Sequence, residues 1–265
     1  MTTKQLTASL ALALLPGFAV AQEGVRSVTL MPGWAEANGS YVGAVRIELE
    51  PGWKTYWRTP GEGGIPSEFT WEGSRNLTGA EVQWPTPAAF DTYGMRTIGY
   101  DREVVLPVIF EPTPGASEMM AHLHLYFGVC ADICIPAEVT TSAVFDLNMV
   151  TNTAPIGAAL AEGPMPMEMS GITGISCDML PGKHGMMMLT AQFDDATAFG
   201  DAPIVVFETD IADLWIGGAE AYYVGEILVA DATMDYFGDG AFILERESIR
   251  LNVITPDRVF EQVGC

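Results

Sequence analysis

Short runs of alternating or β-branched residues, each closed off by Gly, Pro, Asn or Asp, recur along most of this chain: "VRSVTLM", "YVGAVRIELE", "SEFTWE", "EVVLPVIF", "AHLHLYF" and "EVTTSAVFDL". A period of two with turn residues at regular intervals is the pattern of half-buried antiparallel strands. Helical periodicity over three turns is hard to find outside the extreme N-terminus and the stretch near "IGAALAEG". With 28 Gly and 17 Pro as punctuation, the first half reads as an immunoglobulin-like β-sandwich.

The strand pattern lapses over "NMVTNTAPIGAALAEGPMPMEMSG" and resumes with "MMMLTAQF", "APIVVFE", "AEAYYVGEILVA", "AFILERE" and "SIRLNVI". We therefore expect an all-β chain of two sandwiches, residues 22–148 and 171–265, with a linker over 149–170. "GAEVQW" at 79–84 and "GAEAYY" at 218–223 echo each other in three residues, too few to establish duplication.

Ahead of the first strand, Lys4 precedes an apolar run from Leu10 to Val20, and Ala19-Val20-Ala21 has the small-x-small form of a signal-peptidase site. The run is too short to span a bilayer, no cysteine stands at the cleavage point to take a lipid, and no later run reaches the ~18 apolar residues a span needs. Residues 1–21 are thus expected to be a cleavable signal peptide. The mature chain then starts at Gln22, carries no transmembrane segment and enters a bacterial periplasm. There a cysteine is either bridged or kept reduced by a dedicated electron supply. The formal charge of −22, one unit more negative once Lys4 is lost, repels phosphate backbones and anionic lipid surfaces. Nucleic acid is excluded as a natural partner; the charge serves solubility.

Four cysteines remain to be placed. In the chain-entropy model, joining Cys130 to Cys134 is worth roughly 2 kcal/mol, and joining Cys177 to Cys265, which closes nearly the whole second domain, roughly 4.6. The long loop is the better staple, so Cys177–Cys265 is expected to be a structural disulfide; the alternative is a free terminal thiol. If Ala131, Asp132 and Ile133 form a hairpin turn, Cys130 and Cys134 face each other across adjacent strands within disulfide range. Spacing alone leaves two uses open, a small structural clip or a bond meant to be opened. Zinc is disfavoured, because a C-x3-C pair needs two further ligands and His122, His124 and His184 make no companion motif. No cation lies within five residues of either thiol while Asp132 lies between them, so local sequence predicts a thiol whose ionisation is not assisted.

Several segments in order, "PGWKTYWRTPGEGGIPSEFTW", "VQWPTPAAF", "DTYGMRTIGYDREVVLPV" and "YFGVCADICIPAEV", resemble the periplasmic N-terminal domain of the thiol:disulfide interchange protein DsbD. The closer likeness is to the ScsB relatives associated with suppression of copper sensitivity. The likeness covers about residues 25–148. It implies an immunoglobulin-like electron shuttle, a protein-disulfide reductase component that needs no cofactor. A membrane-embedded part of the family's proteins supplies its electrons; periplasmic disulfide isomerases or cytochrome c maturation thioredoxins receive them. By that resemblance Cys130 and Cys134 are the redox pair, Cys134 exchanging with the partner and Cys130 resolving. "DTYGMRTIGY" corresponds to the cap loop, with Asp91, Thr92, Tyr93 and Tyr100 as its members, and Tyr126, Phe127 and Asp132 complete the surround of the site. Thr92 stands where the family has phenylalanine, so the resemblance implies either that Tyr93 shields the pair instead or that the shielding is weaker. The chain lacks a membrane part and a C-x-x-C, so the resemblance implies a separate membrane donor. The second domain resembles, more weakly, the extra sandwich of ScsB-type proteins.

Two other readings compete. Met165, Met167 and Met169, with His184 and Met186 to Met188, offer soft ligands suited to Cu(I), although alternating methionines serve equally as core filler. His122 and His124 alternate with Leu123 and Leu125, which puts both imidazoles on a solvated strand face. Trp53, Tyr56 and Trp57 could form the platform of a non-catalytic binding module, but aromatics of a sandwich more often fill its core. No spacing suits hydrolytic catalysis.

Overall fold

The computed structural model describes residues 22–92, 94–182, 186–240 and 242–265. The predicted signal peptide, Tyr93 and His184 lie outside them. The first half forms β1 (Val25–Ala35), β2 (Tyr41–Leu49), β3 (Lys54–Gly61), β4 (Glu68–Thr70), β5 (Leu77–Val82), β6 (Ala88–Thr92), β7 (Met95–Asp101), β8 (Glu103–Pro112), β9 (Glu118–Cys130) and β10 (Cys134–Asp146). One sheet runs β1-β2-β8-β5 and faces a second of order β10-β9-β3-β7-β6, with β4 on β9. Alternation decides what lies between them. In β9, Met119, Ala121, Leu123, Leu125, Phe127 and Val129 are fully buried, while His122, His124 and Tyr126 point outward. Trp57, Phe110 and Phe145 fill the middle, Phe110 meeting Trp71 edge-on at 5.1 Å and Phe145 at 5.6 Å between centroids.

The connecting segment is more ordered than its sequence suggests. Thr153–Ala161 is a helix, α1, lying on β1 and β8 with Ile156 and Ala159 buried. It lacks the usual start signals: Asn152 makes no side-chain cap and the first turn holds no acid. Tertiary contacts hold it instead. Asn152 Nδ2 donates to Pro32 O at 2.7 Å, Thr151 N to Gly33 O at 2.8 Å, and Thr86 N to Glu162 O at 2.8 Å. Gly33 makes the docking possible, because a Cβ there would lie 2.2 Å from Val42 O and 3.2 Å from Ile156 Cδ1.

The second half holds β11 (Met165–Pro166), β12 (Gly174–Pro181), β13 (Met187–Asp194), β14 (Ile204–Glu208), β15 (Leu214–Ile216), β16 (Glu220–Val224), β17 (Ile227–Tyr236), β18 (Arg250–Ile254) and β19 (Val259–Val263). They form the sheets β11-β19-β18-β14 and β12-β13-β17-β15, with β16 on β17. Among the described residues only β11, formed from the predicted linker, pairs in parallel, with β19. Cys177 on β12 and Cys265 beyond β19 are bonded, S–S 2.07 Å and Cα–Cα 5.5 Å, tying one sheet to the other. Replacing both by Ala is expected to lower stability by roughly 2–5 kcal/mol. Urea denaturation, followed by a probe in the second sandwich, measures it.

The two sandwiches share apolar surface and one ion cluster. Val206, Ile254 and Val259 join the first domain's core, so the sheet containing β14, β18 and β19 is buried on both faces. That explains the unbroken apolar run "IVVF" in β14 and the burial on both faces of "LNVI" in β18. Beside this contact Arg58 of β3 reaches Glu208, Asn252 and Glu261 of the second sandwich, with Nε 3.0 Å from Glu208 Oε1 and Nη2 2.9 Å from Asn252 Oδ1. Asn252 is fully buried and Thr59 also bonds Glu208. Burial acts to lower the pKa of Arg58, but hydrogen bonding and charge from Glu208, then Glu261, outweigh it and raise the pKa.

Candidate thiol-disulfide site

β9 and β10 pair without interruption from Glu118↔Asp146 to Cys130↔Cys134, the final pair before the turn Ala131–Asp132–Ile133. The register puts both sulfurs on the outward face of the sheet. They are bonded, S–S 2.09 Å and Cα–Cα 4.1 Å. Their surroundings differ sharply: Cys130 is 6% exposed, whereas Cys134, Asp132 and Ile133 are open to solvent, Ile133 at 72%. One sulfur is therefore offered at the tip beside an apolar side chain, and the other is withdrawn.

Cys130 faces outward yet is buried, so the sheet is covered there. Gly128, two residues earlier on the same face, lies beneath Tyr56 and Ile65: a Cβ on Gly128 would stand 2.6 Å from Tyr56 Cε2 and 2.7 Å from Ile65 Cβ. The segment holding Ile65 carries the tip of the β6–β7 hairpin in turn. Glu62 N donates to Arg96 O at 3.1 Å, and a Cβ on Gly63 would touch Met95 Sδ at 3.3 Å. Gly128→Ala should displace Tyr56 and Ile65 and expose Cys130. We expect alkylation of reduced Cys130, in a Cys134→Ser background, to speed up several-fold in a timed maleimide assay.

The predicted surround is only partly assembled. Asp132 flanks the pair and Tyr126 lies on its face, half-buried between Glu68 and Glu138 in register. Phe127 and Tyr100 face the core instead, because they alternate with the outward residues. Tyr100 sits opposite Thr55, its hydroxyl donates to Pro85 O at 2.7 Å, and burial pushes its pKa far up. Asp91 is exposed at the hairpin tip, 3.6 Å from Arg96 Nε, in a cleft of about 240 Å³ against Trp215 and Gly217 of the second sandwich. Thr92 is the last residue of β6, paired with Met95.

Sequence reasoning missed four residues around the pair: Tyr56, Ile65, Lys54 and Phe90. Lys54 is the register partner of Cys130 and, on its other side, of Asp101. Its ammonium lies 4.5 Å from the centroid of the Phe90 ring on β6. Only strand pairing brings it to the thiol, so a search of neighbouring sequence could not find it. Tyr56 is buried with its hydroxyl unpartnered among the described residues, and desolvation raises its pKa.

The competing readings find less support in the geometry. Met167 is buried in the second core and Met169 is 64% exposed, while Met165 Sδ lies 2.9 Å from Arg258 Nη1, so the three share no face. Among the described residues no three His, Cys, Asp or Glu side chains gather as a metal site. His122 bonds Ser142 at 2.7 Å and His124 bonds Glu138 at 2.6 Å. Trp57 is in the core and Trp53 lies against Gly24, so the three aromatics form no open platform.

Residues 28–146 match the family model described as thiol:disulfide interchange protein DsbD, N-terminal. No curated protein matches the chain. Among solved structures, the N-terminal periplasmic domain of ScsB from Proteus mirabilis superposes with a TM-score of 0.65 at 22% identity, covering 92% of this chain and 98% of that one. The likeness therefore extends over both sandwiches.

Proposed function

The first domain of this chain belongs to the DsbD N-terminal family, and from that premise we propose that the chain is a periplasmic electron shuttle. A membrane-embedded dithiol reduces the Cys130–Cys134 bond, and the resulting dithiol reduces periplasmic thioredoxin-fold or disulfide-isomerase partners. The observation that carries the reading is the unequal exposure of the two sulfurs. Thiol–disulfide exchange passes through a mixed disulfide formed at the accessible sulfur, which the neighbouring sulfur then resolves.

In the forward half-cycle the Cys134 thiolate attacks one sulfur of the partner disulfide. A Cys134–partner bond forms, the partner's bond breaks, and its second sulfur leaves as thiolate. The Cys130 thiolate then attacks Cys134 Sγ, the Cys130–Cys134 bond returns, and the partner departs as a dithiol. Two electrons pass to the partner, which takes its protons from solvent. Cys177–Cys265 spans the other domain's sheets and takes no part. Delivery by a signal peptide over residues 1–21 fits this reading; no helix among the described residues is long and apolar enough to cross a membrane.

The test is direct. Chain reduced with dithiothreitol and desalted should transfer two thiol equivalents to an oxidised thioredoxin-fold isomerase, counted by mass shift after alkylation, and Cys134→Ser should abolish transfer. Thiol trapping in cells that finds the pair permanently oxidised would sink the proposal.

A further inference from the structure

We propose that Lys54 is the positioning residue of the thiol pair, its ammonium serving as counter-charge to the Cys130 thiolate whenever the pair is reduced. The inference rests on the shuttle reading above. Opposed residues of an antiparallel pair project to the same face with Cβ atoms ~4.5–5.5 Å apart, and Lys54 is opposed to Cys130. In the disulfide state the sulfur is neutral, and the ammonium stacks on Phe90, 4.5 Å from the ring centroid. An exposed cation–π contact is worth only ~0.5–1 kcal/mol, so a full negative charge on Cys130, sheltered from water, outcompetes the ring.

Other charged groups do not take that place. On β3 the next cation, Arg58, is held by Glu208 and Glu261. On β7, Asp101 opposes Lys54 from the far side and has Arg102 Nε at 3.4 Å. The turn supplies Asp132, and β10 supplies Glu138, bonded to His124. From β3, Tyr56 adds a buried neutral phenol. Lys54 is thus the cation opposed to the buried thiol, while Arg58 and Arg102 are engaged by acids.

The chemistry gains at two steps. When a donor thiolate attacks the exposed Cys134 Sγ, the Cys134–Cys130 bond breaks and Cys130 leaves with the electron pair; a stabilised thiolate leaves faster. When the mixed disulfide with a partner is resolved, the same thiolate is the attacking group, present in larger fraction at neutral pH.

The ionisation of Cys130 in the full chain carrying Cys134→Ser, followed by thiolate ultraviolet absorbance against pH, tests this. Lys54→Met should raise the Cys130 pKa by about 1 or more, while Lys54→Arg should leave it near the parent value. In the intact pair, Lys54→Met should also make the disulfide harder to reduce in glutathione equilibria. An unchanged Cys130 pKa in Lys54→Met, with circular dichroism showing a folded chain, overturns the inference. That readout needs no partner. The shuttle reading fails separately, if wild-type chain transfers no thiol equivalents whatever the pKa.

Discussion

Cys130→Ala is expected to accumulate as a covalent adduct with its partner, seen as a reducible high-mass band that disappears when Cys134 is also replaced. The argument runs from exposure. Cys134 sits at the open tip of the β9–β10 hairpin, so it can still attack. Cys130 lies below it at 6% exposure, and its loss removes the sulfur that releases the partner. The reciprocal variant, Cys134→Ser, should trap almost nothing, because a partner disulfide cannot reach a sulfur of a residue only 6% exposed. Both thiols are placed alike in register, so a symmetric pair would trap equally through either. Equal trapping by the two variants would contradict the asymmetry on which the exchange order depends.

The second large effect concerns Arg58. Arg58→Met should destabilise the folded chain by about 2–3 kcal/mol, between the values for exposed and fully buried pairs, because the cluster is part-buried. Glu208, 15% exposed, would lose its cation, while Glu261 would keep Arg250 Nη1 at 2.8 Å. Asn252, fully buried, would lose one of its partners. A triple variant, Arg58→Met with Glu208→Gln and Glu261→Gln, should recover much of the loss, since the cost lies in stranded charge rather than in the missing attraction. Urea denaturation measures both. A loss below about 1 kcal/mol for the single variant would mean the cluster behaves as an ordinary solvated pair.

The strands were legible because alternation is a local property. "AHLHLYFGVC" shows its buried and open faces directly, and the structure follows them residue by residue up to Phe127, after which the outward Gly128 and Cys130 are covered. The all-β class and the likeness over residues 28–146 were readable for the same reason. The connector was legible only at "IGAALAEG", whose periodicity marks the helix α1; its lack of a side-chain cap and its docking beside Gly33 were not. The site was half readable: the cysteines announce themselves, whereas their cover and their cation come from β3 and the loop after it, strand neighbours far away in sequence. Tyr100 and Phe127 were drawn into the site by proximity along the chain, which one step of strand alternation turns into the opposite face.

The doubly buried sheet has a consequence for the order in which the molecule can be completed. Val206, Ile254 and Val259 close the first domain's core, but they lie more than 50 residues beyond its last strand and so are synthesised after it. Until β14, β18 and β19 arrive, the emerging first sandwich carries an uncovered apolar patch and an unpaired Arg58. A nascent or truncated chain ending before residue 200 should therefore be stickier than the finished protein, and more dependent on whatever shelters exposed hydrophobic surface during export.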